Sequence, residues 1–399
     1  MNVVDKTARL AMKKLSIVAI APDSFKGALS AEGVARAIAG GLAKSFPNAE
    51  FRLIPMADGG EGTVDAWAAN ADAERVEAVV ADPLGRPVTA CYAFDPATKT
   101  AVIEMAAASG LPLLAPDERN PLATSTRGTG ELVRDALDRG ARHIILGIGG
   151  SATNDGGTGL AAALGVRFLD SRGRDLPPGG AALSRLAAID MSGLDRRLAK
   201  TRIEAACDVT NPLCGPTGAS AVYGPQKGAS PKDVAKLDAA LRRLAEVAAA
   251  TPTCARRADP ETPGAGAAGG LGFGLVAFCG ARLRRGVKIV AESVRLRERL
   301  KGCDLVITGE GRLDAQTVNG KTPAGVAAVA KRVGVPCIAI CGCVGKGYEA
   351  VHKIGISSVI PVAHGFFDPA DPSIGATERI RACAAETGRL LSLGWKENK

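Results

Sequence analysis

Acidic residues flanked by glycine recur along this sequence: Asp23 in PDSFKG, Asp58 in ADGGEGT, Asp155 in GIGGSATNDGGTG, Asp208 in ACDVTNP, and Glu310 with Asp314 in GEGRLD. A carboxylate can accept a proton or hold a hard cation, and glycine lets backbone N–H groups come close to an anion. Lysines stand in the same kinds of segment, at Lys26, Lys227 and Lys321. Glycine turns, lysines and several carboxylates together suit phosphoryl transfer, in which cations neutralise phosphates and acids hold Mg2+.

The densest of these segments is HIILGIGGSATNDGGTGL, from His143 to Leu160. Its apolar start reads as a buried strand, followed by a glycine turn, Ser151, Asn154, Asp155 and a second glycine pair. The turn suits phosphate handling beside a proton acceptor or metal ligand; taken alone, it equally suits tight packing. Gly147-x-Gly149-x-x-Ala152 also fits a dinucleotide fingerprint, with Asp170 about twenty residues further on. Against that, Asn154-Asp-Gly-Gly157 interrupts the place where the helix should already run. Ala315-x-x-x-x-Gly320-Lys321-Thr322 resembles a P-loop, but GEGRLD separates it from its strand, so only Lys321 is kept, as a phosphate contact.

These segments need a scaffold that presents strand ends. Strands are expected at 15–21, 51–56, 203–208, 304–308, 337–340 and 358–362, alternating with helices, which argues for parallel α/β architecture. Ser30 is a plausible N-cap for a helix with Val34, Ile38 and Leu42 on one face. Ser230, Pro231 and Asp233 signal another helix start. From about Ala78 to Ala106 the pattern is a short-strand meander, and the Gly/Ala-rich 252–274 reads as an ordered loop. Both ends of the chain share one texture and the middle another. The expectation is a discontinuous domain of residues 15–75 and 288–399, an inserted domain of 76–287, a polar leader of 1–14, and an active site in the cleft between the domains.

The net charge of +9 directs attention to anionic partners, but aromatics make up only 4% and none alternate with the basic clusters, including Arg256-Arg257. That argues against a base-stacking surface for nucleic acid. The ten scattered cysteines fit a reducing compartment rather than a disulfide framework. Cys337, Cys341 and Cys343 lack zinc spacing, with only His352 and His364 nearby, and read as a buried strand. Leu15–Ala21 is too short to span a bilayer and has no cleavage site, so a cytoplasmic protein without membrane attachment is expected.

IAPDSFKGALS, PMADGGEGT, GIGGSATNDGGTG, ACDVTNPLCGPTGAS, YGPQKGA, PGAGAAGGLG and TGEGRLDAQTVNGKTP together resemble the bacterial glycerate kinase type 1 family, over nearly the whole chain after Met12. The resemblance implies a flavodoxin-like parallel-sheet domain with an inserted α/β domain of restriction-enzyme-like fold. It implies ATP- and Mg2+-dependent phosphorylation of D-glycerate, usually at the 2-hydroxyl, in glyoxylate and related catabolism. Formation of 3-phosphoglycerate and an NAD-dependent hydroxy-acid dehydrogenase are the alternatives, and a homo-oligomer is left open.

By residue type and position, Lys26, Arg127 and Lys227 are candidates for binding anions, with Lys26 also counted as catalytic. Asp155 or Asp208 would accept the hydroxyl proton or hold Mg2+. The Gly149-Gly150-Ser151 backbone would cradle a phosphate or the substrate carboxylate. Asp23, Ser24, Asn154, Asn211 and Lys321 complete the substrate and phosphate contacts, and Asp58, Glu310 and Asp314 are alternative metal ligands.

Overall fold

A computed structural model describes residues 13–254, 257–362 and 375–396; most of the expected leader, Arg256 and His364 lie outside the described residues. The chain is mixed α/β with parallel sheets and divides into two compact units, Met1–Met56 with Arg295–Lys399, and Ala57–Val294.

The first unit is built on a five-stranded, wholly parallel sheet. Across it lie Glu50–Leu53, Ile17–Pro22, Leu305–Gly309, Cys337–Cys341 and Ile356–Pro361. Numbered along the chain, that order is second, first, third, fourth, fifth. The central strands are buried almost throughout, as parallel strands covered on both faces must be. Helix Ala31–Leu42 begins at Ser30, whose hydroxyl accepts from the Gly33 amide at 3.2 Å. Its buried Val34, Ile38 and Leu42 face the sheet side, and burial of each contributes roughly 1.5–3 kcal/mol. Helix Ala376–Ser392 packs so closely on it that a Cβ at Gly41 would stand 2.4 Å from the Arg381 carbonyl.

The second unit carries a six-stranded mixed sheet ordered Arg282–Arg284, Arg202–Ala206, His143–Gly147, Thr100–Glu104, Pro87–Asp95 and Glu74–Ala81. The last three strands form the antiparallel meander, whereas His143–Gly147 lies parallel between Thr100–Glu104 and Arg202–Ala206. Helix Pro231–Ala250 starts at the expected capping box of Ser230 and Asp233. The junction after Met56 comes earlier in the chain than the expected residue 75. Helix Thr63–Ala68 packs on the strands Pro87–Asp95 and Thr100–Glu104, and the Glu104 carboxylate accepts from the Val64 amide at 2.8 Å. A carboxylate at a helix N-terminus completes unpaired N–H groups there and ties that helix to the inserted sheet.

The Gly/Ala-rich segment is ordered against 153–157 by contacts that exclude side chains. Ala268, Gly269 and Gly270 are all left-handed, with φ of 53°, 68° and 87°, before helical geometry resumes towards Cys279. A Cβ at Gly269 would lie 2.0 Å from the Thr153 carbonyl oxygen, and one at Gly274 2.4 Å from that of Gly156. Gly269→Ala combines this clash with an unfavourable φ and is expected to destabilise the protein by at least about 2 kcal/mol, whereas Ala268→Gly should stabilise it by about 1 kcal/mol. Thermal unfolding midpoints of the two variants check both signs.

Candidate active site

In the second unit, a cavity of about 400 Å³ opens where strands His143–Gly147 and Arg202–Ala206 end. Its wall includes Asp58, Gly149, Gly150, Ser151, Asp208 and Lys227. Close backbone approach assembles it. A Cβ at Gly147 would meet the Gly59 carbonyl at 2.5 Å, and one at Gly286 would meet the Asp58 carbonyl at 1.7 Å. The loop bearing Asp58 can therefore lie across the strand ends only because those positions are glycine.

Asp208 follows its strand directly, and its Oδ1 accepts from the Gly286 amide at 3.1 Å. Its side chain is exposed at the cavity, where the surrounding wall strips only part of its water. That desolvation, reinforced by the nearby Asp58 carboxylate and opposed by the Gly286 amide, pushes its carboxyl up to about 6. A carboxylate with that proton affinity suits general-base work near neutral pH. Asp58 is fixed by its own turn, with Oδ1 accepting from the Gly60 amide at 3.1 Å.

Opposite in charge is Lys227, which is only 1% exposed. Its Nζ donates to Ser151 Oγ at 2.7 Å and to the Thr153 carbonyl at 2.6 Å. Burial lowers its ammonium to about 7, offset in part by the field of Asp155. Among the described residues, the amides of Gly149, Gly150 and Ser151 donate to no protein acceptor, and Gly150 turns with φ of 75°. Successive unspent amides beside a lysine form a receptor for an anion.

Several sequence candidates take other places. Asp155 is fully buried and does not line the cavity. Its carboxylate accepts from the Thr126 amide and hydroxyl at 2.8 and 2.9 Å and from the Gly157 and Gly159 amides at 3.1 Å each. It knits two loops together, with three donors on Oδ2 and one on Oδ1, away from the cavity wall. Burial nevertheless keeps its carboxyl above the ordinary value. Asn154 is also buried outside the wall, its Nδ2 donating to Ser220 Oγ at 3.0 Å. Arg127 lines a different groove and pairs with Glu131 at 2.9 Å, one turn along the same helix. Asn211 accepts from the Tyr223 hydroxyl at 2.7 Å and so positions a cavity residue without lining the cavity itself. Tyr223, Gln226 and Ala268 line it without having been singled out from the sequence. Tyr223 and Gln226 stand beside Lys227 in YGPQKGA and Ala268 in PGAGAAGGLG, but neither segment by itself says which side chain faces a cavity.

The dinucleotide fingerprint is not realised. Asp170 folds back on its own turn, accepting from the Arg172 and Arg174 amides, and backbone donation from Arg174 holds its carboxyl down at about 2. Helix Thr158–Ala163 begins only after the second glycine pair.

In the first unit, a second group of candidates gathers after the adjacent strands Ile17–Pro22 and Leu305–Gly309. Thr322 donates to Asp23 Oδ2 at 2.5 Å, and the Ser24 amide donates to Asp23 Oδ1 at 2.6 Å. Lys26 is exposed and makes no ion pair among the described residues. Lys321, the N-cap of helix Thr322–Val333, places its Nζ 3.9 Å from both Glu310 and Asp314. Glu310 also accepts from Thr317 Oγ1 at 2.7 Å. Ligands of open α/β sheets bind at the carboxyl ends of strands, beside the point where strand order reverses, and Ile17–Pro22 and Leu305–Gly309 flank that point. Among the described residues no three His, Cys, Asp or Glu side chains form a metal-holding group. Glu310 and Asp314, which share Lys321, are the residues here that would hold a hard cation such as Mg2+.

Replacing Asp155 by Asn puts an NH2 group against N–H donors. Each donor left unpaired costs on the order of 1–3 kcal/mol. The thermal midpoint should fall by at least about 4 °C, while kcat measured well below it stays within about tenfold. Unfolding scans alongside steady-state rates check this.

The family model described as the glycerate kinase family matches residues 18–392. The chain is 49% identical over 376 residues to a glycerate kinase of Bacillus subtilis (strain 168), covering 94% of this chain and 98% of the relative. It is 46% identical over 380 residues to the glycerate 2-kinase of Escherichia coli (strain K12), covering 95% and 99%. A crystal structure from Salmonella typhimurium LT2, described as a glycerate kinase 2, superposes with a TM-score of 0.87 at 47% identity, covering 96% of this chain and 99% of the other. This chain belongs to the glycerate kinase family of enzymes.

Proposed function

We propose that the protein transfers the terminal phosphoryl group of ATP to the 2-hydroxyl of D-glycerate, giving 2-phosphoglycerate and ADP. The observation that carries this reading is the cavity that sets a buried lysine and unspent amides opposite a carboxylate of raised proton affinity. An anionic hydroxy acid needs both: an anchor for its charge and an acceptor for its hydroxyl proton. The E. coli relative is named a glycerate 2-kinase, which favours the 2-hydroxyl.

In this reading Asp208 takes the hydroxyl proton as the substrate oxygen attacks the terminal phosphorus. The bond from that phosphorus to the bridging oxygen breaks, and ADP leaves. Asp58 serves by keeping a like charge beside Asp208, which raises its basicity. Lys26, Ser24, Asp23 and Lys321 form the nucleotide-phosphate set of the first unit. Glu310 and Asp314 would hold Mg2+, which when bound supplies charge neutralisation of the phosphates. The strand order of this unit supports a flavodoxin-like assignment. The second unit is read as the restriction-enzyme-like insertion that the family resemblance implies. All ten cysteines are free, which supports a reducing, cytoplasmic setting, and no helix of the described residues is long and apolar enough to cross a membrane.

A coupled assay for ADP release with D-glycerate, followed by separation of 2- from 3-phosphoglycerate, tests the reaction. Absence of ADP release overturns it, and a product that is only the 3-phosphate overturns the regiochemistry. Asp208→Asn should lower kcat by about 10²–10⁴-fold. The base works deprotonated, so kcat/KM of the wild type should rise with pH through about 6. Asp58→Asn removes the like charge and should move that limb to lower pH. Lys26→Ala should depress kcat/KM, and an unchanged value would remove it from the site.

A further inference from the structure

Lys227 is a buried cation without a matching anion. Its hydrogen-bond acceptors are a hydroxyl and a carbonyl, and no carboxylate lies within ion-pair distance among the described residues. The carboxylate whose field reaches it, Asp155, is already committed to its four loop donors. The other charged or titratable groups around it do not fill the gap. Tyr223 comes from helix Ala219–Tyr223, and its hydroxyl is bonded to Asn211. Arg119 lies behind, where its backbone packs against Gly228. Asp58 and Asp208 line the same cavity but bond to the Gly60 and Gly286 amides. A buried charge left unpaired is costly, so the free enzyme and the anion-bound enzyme favour different protonation states of this lysine.

The size of the missing charge also selects the ligand. One lysine and uncharged amides balance a monoanion, whereas a phosphate dianion would bring surplus negative charge beside Asp58 and Asp208. We propose that the Gly149–Ser151 cradle with Lys227 is the subsite for the carboxylate of the hydroxy-acid substrate, and that binding of this carboxylate is coupled to uptake of a proton by Lys227. Ser151 bridges the two, accepting from Lys227 while its own hydroxyl proton is free to turn towards the carboxylate. The proposal rests on the hydroxy-acid reading above and deepens it: charge balance makes an acid, rather than a neutral polyol, the substrate.

The linkage has a definite sign. Lys227 is largely neutral in the free enzyme above about pH 7, so affinity for D-glycerate should fall as pH rises beyond that value, by up to about tenfold per unit. The loss should appear in kcat/KM and not in kcat, because bound substrate keeps the lysine protonated.

Calorimetric titration of the full-length enzyme with D-glycerate at pH 8, in Hepes and in Tris, tests the coupling. The expected result is a heat that differs between the buffers by uptake of most of one proton per site. Asp208→Asn should retain that uptake. Lys227→Met is close in shape and should bind D-glycerate at least about 100-fold more weakly with no uptake. The uncharged amide of glyceric acid should give no uptake with the wild type. Equal heats in both buffers would overturn the coupling while leaving glycerate binding and the proposed reaction standing. Uptake that persists in Lys227→Met and vanishes in Asp208→Asn would also overturn it, assigning the proton to Asp208. Absence of both binding and turnover with D-glycerate would remove the underlying reading as well.

Discussion

Backbone crossing backbone at distances that exclude a Cβ is the constraint on which the inserted unit depends. Gly147 under the Gly59 carbonyl and Gly286 under the Asp58 carbonyl allow one loop to lie flat over the ends of two parallel strands. Asp58 is thereby held near Asp208, and the mutual field of the two acids helps set the proton affinity of the site. A methyl group at either glycine would lift the loop and separate the charges. The glycines are thus electrostatic in consequence, although they carry no charge.

The same unit separates charges that must work from charges that must hold. Asp155 and Lys227 are both fully buried, yet their roles diverge because of what surrounds them. Asp155 accepts from four donors and ties together the segments of Thr126 and Gly157. Lys227 has only neutral partners and keeps capacity for a ligand. The two buried ions therefore differ in how many of their hydrogen-bonding positions the protein itself fills.

In the first unit the parallel sheet does most of the positioning. Strand ends deliver Asp23 and Glu310 side by side, and the start of helix Thr322–Val333 brings Lys321 to two carboxylates. Such an arrangement leaves carboxylates in excess of the one paired lysine, with Lys26 as a further, exposed cation of the same unit.

Much of this was legible in the sequence because its causes are local. Apolar runs fix the strands, Ser30 and the Ser230–Asp233 box fix helix starts, and glycine-flanked acids and lysines mark the strand ends. These features also fix the family, since the motifs extend along nearly the whole chain. What the sequence could not reveal is which polar side chain faces a cavity. Asp155 and Asp208 look alike along the chain, but Asp155 is spent on four donors and Asp208 on one amide. Arg127 and Lys227 are both of a type that binds anions, but the first is held by Glu131 in another groove and the second is buried with neutral partners in the cavity wall. The Thr63–Ala68 helix, read as part of the first domain, belongs to the second because of Glu104, far along the chain. Donor saturation, burial and long-range capping arise from residues distant in sequence, so only the tertiary structure decides them.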